Sequence, residues 1–487
     1  MTLVEETTPL VSPDDLGRVH MAGIGGVGMS GIAHILLARG LTVSGCDTQE
    51  SDALDALRAA GAAVSVGHDP GHIREIDTLV TSSAVRLSSP EVAEAHSRGV
   101  RVLPRAGALA SVMADRCGVA VTGAHGKTTT TSLLVAALLH CEAEPSYLIG
   151  GVPAGEGRAA RSGAGDIFVA EADESDGSFL LLSPHAAVVT NVEADHLDNY
   201  GSAEAVHDAF ARFLDRISRD GFLICCADDP GARALAALAR ERGLEVATYG
   251  EFTDADLRID ALDCAGLESG FDLVEQDGQD GQDGQGRVLG RVHLRIPGRH
   301  NALNAAAALA AGLRLGFPFA ELRDGVAGFT GVQRRFELKG EVRGVRVIDS
   351  YAHHPTEIAA DLRTAREIAG EGRVIAAFQP HLYSRTRFFA EEFGQALGLA
   401  DQVVVLDVYA AREEPEPGVS GALIAGAVPL PETSVRYEPA YDAVPEILRT
   451  MAEPGDVVLT LGAGNVTALG PKLVDALSGP PAGRAGE

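Results

Sequence analysis

The sequence contains no tryptophan, and lysine occurs only at Lys127, Lys339 and Lys472. Acidic side chains outnumber basic ones by 68 to 40, which gives a formal net charge of −28. This charge argues against binding to nucleic acid or to an anionic membrane surface, because both are themselves negative. We therefore expect neither a nucleic acid nor a membrane as a partner.

Long apolar runs and paired cysteines are also missing. No run approaches the roughly 20 apolar residues that a membrane-spanning helix needs, and the N-terminal MTLVEE is too acidic and polar for a signal peptide. The six cysteines show no CxxC spacing. We interpret them as small core residues in a reducing compartment.

The stretch TGAHGKTTT, residues 122–130, is the strongest motif that is present. The β-branched residues before it predict a buried strand, and the leucine-rich run after it predicts a helix. Backbone N–H groups and the helix dipole at such a turn favour an anion. Lys127 adds a positive charge, and Thr128 offers a hydroxyl to Mg²⁺. The usual phosphate loop has glycine where this chain has Val121, so a turn without a ligand is the alternative.

A second glycine-rich motif, GIGGVG at 23–28, follows a predicted strand and precedes a helical stretch. The next predicted strand ends at Asp47, which completes the layout of a dinucleotide-type βαβ unit. A nicotinamide site is the commonest interpretation of this pattern. Thr81, Ser82 and Ser83 follow a further strand, at the edge where a ligand would lie. A plain polar loop is the alternative for these three residues.

Polar clusters follow several later strands. EADESD begins at Glu171, and VEADHLD contains His196. Such clusters are typical of a Mg²⁺ site or of a solvated loop. A histidine is more often structural than a ligand, but the neighbouring carboxylates favour a ligand here. Asn301 and Asn304 share one face of a predicted helix, where capping by Asn301 alone is the alternative.

The alternation of strands and helices predicts an α/β protein with doubly wound parallel sheets. A third domain begins near Gly331, and its strand ending at Asp349 leads into SYAHHPTE. The polar, repetitive segment 276–286 should be a flexible excursion that buries nothing. The predicted domains are residues 1–114, 115–330 and 331–487.

Together these motifs resemble the Mur ligases. TGAHGKTTT, EADESD, TNVEADHLDNYG, GRHNALNAAAAL, GVQRRFE and DSYAHHPTE occur in that family's order, and the resemblance covers about residues 18–475. It implies an ATP-dependent amide ligase of peptidoglycan synthesis in the bacterial cytoplasm. A Rossmann-like N-terminal domain would bind a UDP-sugar, a central ATPase domain ATP and Mg²⁺, and a Rossmann-like C-terminal domain the amino acid. GIGGVGMSG and QPHLYSRT favour the members that join L-alanine to UDP-N-acetylmuramate.

The resemblance also implies roles for individual residues. The UDP-sugar would contact Gly23, Gly25, Gly26, Gly28, Asp47, Thr81, Ser82 and Ser83. ATP would contact Gly123, Ala124, His125, Gly126, Lys127, Thr128, Thr129, Asn301, Asn304, Arg335 and Asp349. Two Mg²⁺ ions would be held by Thr128, Glu171 and His196. The catalytic set would be Lys127, His196, Arg335 and His353, and the amino acid would meet Tyr351 and Arg385.

Two positions depart from the family's usual motifs. Ser350 stands where DDYxHHP has a second aspartate, and Asn465 stands where GAGD has its aspartate. If that second acid contacts the nucleotide, Ser350 weakens the contact. Two other functions remain open, namely a ligase that recycles murein peptides and a nucleotide- or NAD(H)-binding regulatory protein. The regulatory protein leaves the clusters of acids and histidines unexplained.

Overall fold

In the computed structural model, the chain forms three β-sheets flanked by helices. The structure describes residues 10–86, 88–155, 157–276, 286–411 and 413–479. The α/β class with three domains, which the strand–helix alternation predicts, is confirmed. Most of the predicted excursion at 276–286 lies outside the described residues. Among the described residues, no helix is both long enough and apolar enough to cross a bilayer.

The first sheet has five parallel strands in the order β3-β2-β1-β4-β5. The strands are β1 (Val19–Ala22), β2 (Val43–Asp47), β3 (Ala63–Val66), β4 (Thr78–Thr81) and β5 (Arg101–Pro104). The helices are α1 (Val27–Ala38), α2 (Asp52–Ala59), α3 (Pro90–Arg98) and α4 (Arg105–Met113). The strand order reverses between β1 and β4, and open α/β sheets bind ligands at such a reversal.

The second sheet has ten strands in the order β15-β14-β13-β12-β11-β10-β6-β9-β7-β8. The strands are β6 (Cys117–Thr122), β7 (Ser146–Leu148), β8 (Ala160–Arg161), β9 (Ile167–Glu171), β10 (Ala186–Val189), β11 (Phe222–Cys226), β12 (Glu245–Gly250), β13 (Leu257–Ala265), β14 (Glu268–Glu275) and β15 (Arg287–Leu294). The helices are α5 (Lys127–His140), α6 (Leu197–Tyr200), α7 (Ala203–Phe213), α8 (Pro230–Glu241), α9 (Arg299–Arg314) and α10 (Phe319–Ala327). Strand β6 pairs in parallel with β9 and β10. The loops that follow these three strands therefore share one edge of the sheet.

The third sheet has six strands in the order β16-β17-β21-β18-β19-β20, parallel except for the edge strand β16. The strands are β16 (Glu337–Val342), β17 (Val345–Ser350), β18 (Val374–Phe378), β19 (Gln402–Val405), β20 (Val435–Tyr437) and β21 (Val457–Leu461). The helices are α11 (Pro355–Ala369), α12 (Tyr383–Phe388), α13 (Ala390–Leu397), α14 (Gly421–Ala427), α15 (Val444–Met451) and α16 (Leu469–Ser478). Strands β18 and β21 are buried at every residue, which explains their continuous apolar sequences.

The described residues divide into two compact units. The first unit lies within residues 1–261, 271–293 and 302–329, and the second within 262–270, 294–301 and 330–487. In the first unit, two ion pairs link elements of the first two sheets. Arg39 Nη1 lies 3.1 Å from Asp115 Oδ1, and Arg105 Nη2 lies 3.2 Å from Asp173 Oδ2. The third sheet belongs to the second unit.

Replacing Phe378 by alanine should destabilise the second unit. Phe378 is fully buried, and its ring lies 5.1 Å from that of Phe393. We expect a loss of about 3–5 kcal/mol in the free energy of unfolding, measured by urea denaturation of the whole chain. Phe388→Ala is the control, because Phe388 is 53% exposed and should cost less than about 1 kcal/mol. Equal losses in the two variants would contradict the assignment of Phe378 to the core.

Candidate active site

The phosphate loop makes a tight turn between β6 and α5. Gly126, directly before α5, has φ 82°, a left-handed conformation that favours glycine. Steric crowding also requires glycine at this position, because a Cβ atom at Gly126 would lie 2.5 Å from Asn304 Oδ1. The backbone can therefore present the N-terminal N–H groups of α5 to an anion.

Lys127, the first residue of α5, is held inside this loop. Its Nζ donates to the carbonyl oxygens of Gly123 at 2.6 Å and Ala124 at 3.1 Å, and pairs with Glu174 Oε1 at 3.0 Å. Burial lowers the pKa of Lys127, but Glu174 and two neighbouring carboxylates outweigh burial and raise it. Burial raises the pKa of Glu174 to about 7, although Lys127 opposes the shift. Lys127 is therefore positively charged at neutral pH.

Thr128 and Glu171 stand together at the first turn of α5. Thr128 Oγ1 donates to Glu171 Oε1 at 3.1 Å, and Glu171 Oε2 accepts the N–H of Gly150 at 2.7 Å. Glu174 Oε2 is buried nearby without a hydrogen-bond partner among the described residues. Hydroxyl and carboxylate oxygens are the ligands that Mg²⁺ prefers. This donor set fits a magnesium ion beside the phosphate loop.

His196 belongs to the same cluster of acids. It lies just before α6 with φ 55°, and its Nε2 is 3.5 Å from Asp195 Oδ2 and 3.7 Å from Glu174 Oε1. The backbone N–H of His196 donates to Asp195 Oδ1 at 2.6 Å. The structure thus brings His196 and Lys127 to one carboxylate, that of Glu174.

The other predicted ATP-binding residues of the first unit lie around the loop. The N–H of His125 donates to Asn191 Oδ1 at 2.9 Å. Thr129 lies buried in the first turn of α5. Asn304 Oδ1 accepts a hydrogen bond from Thr130 Oγ1 at 3.2 Å, which ties α9 to the phosphate-loop helix.

Asn301 has a different environment from Asn304. Its Nδ2 donates to the carbonyl oxygen of Pro297 at 2.7 Å. Helix α9 begins at Arg299, so Asn301 lies within the first turn. Asn301 is therefore not the residue that precedes the helix, and its contact with ATP stays a prediction.

The first sheet carries a separate cleft of about 790 Å³ at the strand reversal. Gly25 approaches its neighbours closely: its N–H donates to Asp47 Oδ2 at 2.8 Å, and a Cβ there would lie 2.7 Å from Leu54 Cδ1. The predicted sugar-binding residues that line the cleft are Gly23, Gly25, Gly26, Asp47 and Ser82. Of the same predicted set, Gly28, Thr81 and Ser83 are described in the structure but do not line the cleft.

In the second unit, Arg335 and His353 meet around Glu357. Arg335 Nη1 lies 3.8 Å from Glu357 Oε1, and its guanidinium lies 5.0 Å from the centre of the Tyr351 ring. The N–H of His353 donates to Glu357 Oε2 at 3.0 Å, and His353 Nδ1 lies 3.0 Å from the carbonyl oxygen of Tyr351. One carboxylate thus joins two predicted site residues, Arg335 and His353, and both of these contact Tyr351.

Asp349 is fully buried at the end of β17. Its Oδ1 accepts from Thr460 Oγ1 at 2.7 Å, and its Oδ2 accepts from Thr467 Oγ1 at 2.6 Å. These bonds fix the start of the loop that carries Tyr351 and His353. Arg385, the predicted ligand of the amino-acid carboxylate, lies in α12 and is 8% exposed.

Neighbouring side chains accommodate both departures from the family motifs. Ser350 forms a side-chain hydrogen bond with Asp361 of α11. Burial raises the pKa of Asp361 to about 7, while the bond from Ser350 acts in the opposite direction. At the second departure, Asn465 Oδ1 accepts from Gln379 Nε2 at 2.8 Å, and Gln379 Oε1 accepts from the N–H of Val466 at 3.1 Å.

Glu174 and Glu357 were not among the predicted site residues, although both lie inside the motifs EADESD and DSYAHHPTE. Glu174 follows Glu171 by three residues, and Glu357 closes DSYAHHPTE. Each carboxylate joins two predicted site residues, a role that depends on contacts between separate segments. The local signal that could have found them was the presence of a further carboxylate inside each of these two motifs.

Three domain families known from other proteins match successive parts of the chain. The family described as Mur ligase family, catalytic domain matches residues 18–116, the Mur ligase middle domain 121–312, and the Mur ligase, glutamate ligase domain 334–464. The chain is 57% identical to the UDP-N-acetylmuramate–L-alanine ligase of Acidothermus cellulolyticus, with 95% of each chain covered. This chain belongs to the Mur ligase family.

Other proteins are similar to this Mur ligase over nearly its whole length. The UDP-N-acetylmuramate–L-alanine ligase of Nocardioides sp. is 55% identical, with 96% of this chain and 97% of the relative covered. The crystal structure of the UDP-N-acetylmuramate–alanine ligase of Thermotoga maritima matches with a TM-score of 0.76 at 27% identity, covering 94% of this chain and 98% of that one. A murein peptide ligase from Psychrobacter arcticus shares the fold, with a TM-score of 0.68 at 24% identity, over 96% of this chain and all of that one.

The pKa of Asp361 predicts how the stability of this Mur ligase changes with pH. The folded pKa of about 7 lies above the ordinary value of 3.8, so between these values only the folded state holds the proton. The free energy of unfolding should fall as pH rises through this window. Asp361→Asn should make this fall smaller, leaving the part due to Glu174, whose pKa burial also raises to about 7. The variant should be more stable than the parent at pH 8 by a few kcal/mol, measured by urea denaturation.

Glu367→Gln is the matched control for this prediction, because Glu367 lies on the same helix and is exposed. It should keep the pH dependence of the parent chain. If Asp361→Asn also kept that dependence, burial of the Asp361 carboxyl would not be its source.

Proposed function

We propose that this Mur ligase joins L-alanine to the carboxylate of UDP-N-acetylmuramate, converting ATP to ADP and phosphate. The similarity to ligases of that name carries the proposal, because it extends over about 95% of both chains and includes all three domains. The reaction belongs to peptidoglycan precursor synthesis, and we place it in the cytoplasm, where ATP is available. Domain limits of 1–114, 115–330 and 331–487 complete the proposal.

The chemistry explains why ATP is needed. A free carboxylate is a poor electrophile, because its leaving group would be oxide. A carboxylate oxygen of the sugar therefore attacks the γ-phosphorus of ATP, and the bond to ADP breaks. The resulting acyl phosphate is attacked at its carbonyl carbon by the amine of L-alanine. The tetrahedral intermediate then expels phosphate and leaves the amide.

Carboxylate and triphosphate are both anions, so positive groups must offset their repulsion. We assign this role to Lys127 in the phosphate loop and to Arg335 in the second unit. Two Mg²⁺ ions, held by Thr128 with Glu171 and by His196, would supply further neutralisation of the charge that develops during transfer. The remaining ATP contacts come from the phosphate loop, Asn301, Asn304 and Asp349.

We propose His353 as the base that accepts the proton of the attacking amine. His353 Nδ1 lies 3.0 Å from the carbonyl oxygen of Tyr351, a contact that is favourable when Nδ1 carries the ring proton. Nε2 is then the basic nitrogen. Tyr351 and Arg385 would bind the amino acid, with Arg385 pairing with its carboxylate.

Lys127→Ala should lower the rate of phosphate release by about a hundredfold or more, because it removes the cation of the phosphate loop. The assay contains ATP, Mg²⁺, UDP-N-acetylmuramate and L-alanine. Lys472→Ala is the matched control, since Lys472 is half-exposed and contacts Asp442 and the Tyr441 ring at the surface. A loss below tenfold in Lys127→Ala would contradict the assigned role. Replacing L-alanine by a murein peptide in the same assay tests the recycling alternative, which requires the peptide to be the better donor.

NAD(H) should not bind to the first domain despite its GxGxxG motif. The chain has a separate phosphate loop at residues 122–130 for its nucleotide, and its motifs follow the order of the Mur ligase family, so we assign the first domain to the UDP-sugar. Titration of the chain with NADH, followed by fluorescence, should show no saturable binding, whereas UDP-N-acetylmuramate should bind. Micromolar affinity for NADH would favour the regulatory alternative.

A further inference from the structure

Five side chains of the kinds that bind transition metals converge in the first sheet. His20 lies in β1, Cys46 in β2, His68 after β3, His72 in a short 3-10 helix and Glu91 in the first turn of α3. One ligand atom each from His20, Cys46 and His72 lie within 4.8 Å of one another, and the same is true of Cys46, His68 and Glu91. We call these five residues the histidine cluster. His68 also lines the cleft of the first sheet, and the other four have no role in the proposed ligase reaction.

Three polar atoms of the histidine cluster are buried without a partner. They are His20 Nε2, His72 Nδ1 and Glu91 Oε2, which have no hydrogen bond among the described residues. His20 is 2% exposed and Glu91 is 0% exposed, so bulk solvent does not reach these two side chains. Leaving buried polar atoms unpaired costs free energy. A bound cation between the two imidazoles would satisfy both histidine nitrogens at once.

The second nitrogen of each of these two imidazoles is fixed by a serine. His20 Nδ1 lies 2.9 Å from Ser44 Oγ, which itself donates to the carbonyl oxygen of Val19. Ser44 therefore accepts from His20, and Nε2 keeps its lone pair. His72 Nε2 lies 3.1 Å from Ser65 Oγ, which leaves Nδ1 as the inward nitrogen. Metal-binding histidines are oriented by such outer contacts.

Glu91 is oriented in the same manner. Its Oε1 is 3.0 Å from both His68 Nδ1 and the backbone nitrogen of Asp69, and these two contacts hold the carboxylate in place. Oε1 also lies 3.4 Å from Cys46 Sγ and 3.6 Å from His72 Nδ1. Donor atoms of one tetrahedral zinc ion are about 3.3–3.8 Å apart, as its bond lengths of about 2.0–2.3 Å require.

We propose that the histidine cluster binds one zinc ion. Its ligands are His20 Nε2, Cys46 Sγ, His72 Nδ1 and the carboxylate of Glu91, and His68 positions that carboxylate. A thiolate with two imidazoles suits zinc better than magnesium, which prefers oxygen. On binding, the thiol proton of Cys46 passes to solvent and the sulfur bonds to the ion. Four protein ligands leave no open position, so the site is structural.

The zinc site would support the neighbouring glycine loop. The carbonyl oxygen of Cys46 accepts the N–H groups of Gly23 at 2.8 Å and Ile24 at 3.1 Å. The ion would therefore join β1, β2 and α3 directly beneath the loop that lines the 790 Å³ cleft. This role does not depend on which ligand occupies the cleft.

Cobalt substitution of the full-length chain tests the proposal. After treatment with a chelator and dialysis, Co²⁺ should bind at one ion per chain and give the near-ultraviolet charge-transfer band of a sulfur ligand. Zn²⁺ should displace it, since zinc binds such sites more tightly than cobalt. Cys46→Ser should lose the band. Cys141→Ser, which changes a cysteine at the end of α5, should keep it.

Two further variants keep the test decisive if Cys46→Ser fails to fold. His72→Gln changes a partly exposed ligand and should weaken metal binding at least tenfold. Ser65→Ala removes only the outer contact of His72, and should weaken affinity about 10–100-fold while keeping the band. Absence of the band in the parent chain, or unchanged affinity in His72→Gln, overturns the proposal.

Discussion

The ion pair between Lys127 and Glu174 is the interaction on which the rest of the central site depends. A chain with a net charge of −28 must still attract a triphosphate, and the loop has one lysine to do so. Glu174 holds that lysine at 3.0 Å and shares its carboxylate with His196 at 3.7 Å. Two groups from different segments are thereby fixed at the mouth of the phosphate loop. The surplus of carboxylates there explains why divalent cations suit this site.

The parallel arrangement of the strands in the second sheet brings these side chains together. Strand β6 pairs with β9 on one side and β10 on the other, so the phosphate loop, the Glu171 loop and the His196 loop end at one edge. Sequence positions 127, 171 and 196 become neighbours without any local pattern joining them. The same geometry gives the first sheet its cleft, where the strand order reverses between β1 and β4. The order of the strands thus determines where each site lies, and the residue types at that edge determine the chemistry of the site.

Local sequence motifs predicted those features of the molecule that depend only on neighbouring residues. The glycines of both loops, the strands before them and the helices after them follow from neighbouring residues, and the three-domain α/β class follows from their repetition. Glu174, Glu357 and the histidine cluster were missed because their partners are distant in sequence. His20 and Glu91 are 71 positions apart with three other segments between them, and no CxxC-like spacing marks the site. Residues 277–285, where flexibility was expected, lie outside the described residues.

The departure at Ser350 places a hydroxyl beside a buried carboxyl of α11. An aspartate at this position would stand beside the buried Asp361, and two neighbouring carboxylates could not both ionise at neutral pH without a large free-energy cost. Serine instead donates a hydrogen bond to Asp361. Arg335 also favours the charged form of Asp361, while Glu357 opposes it. The charges of α11 therefore act on Arg335 as much as the residues of the DSYAHHPTE motif do. A serine in place of the usual acid is compatible with this arrangement of charges.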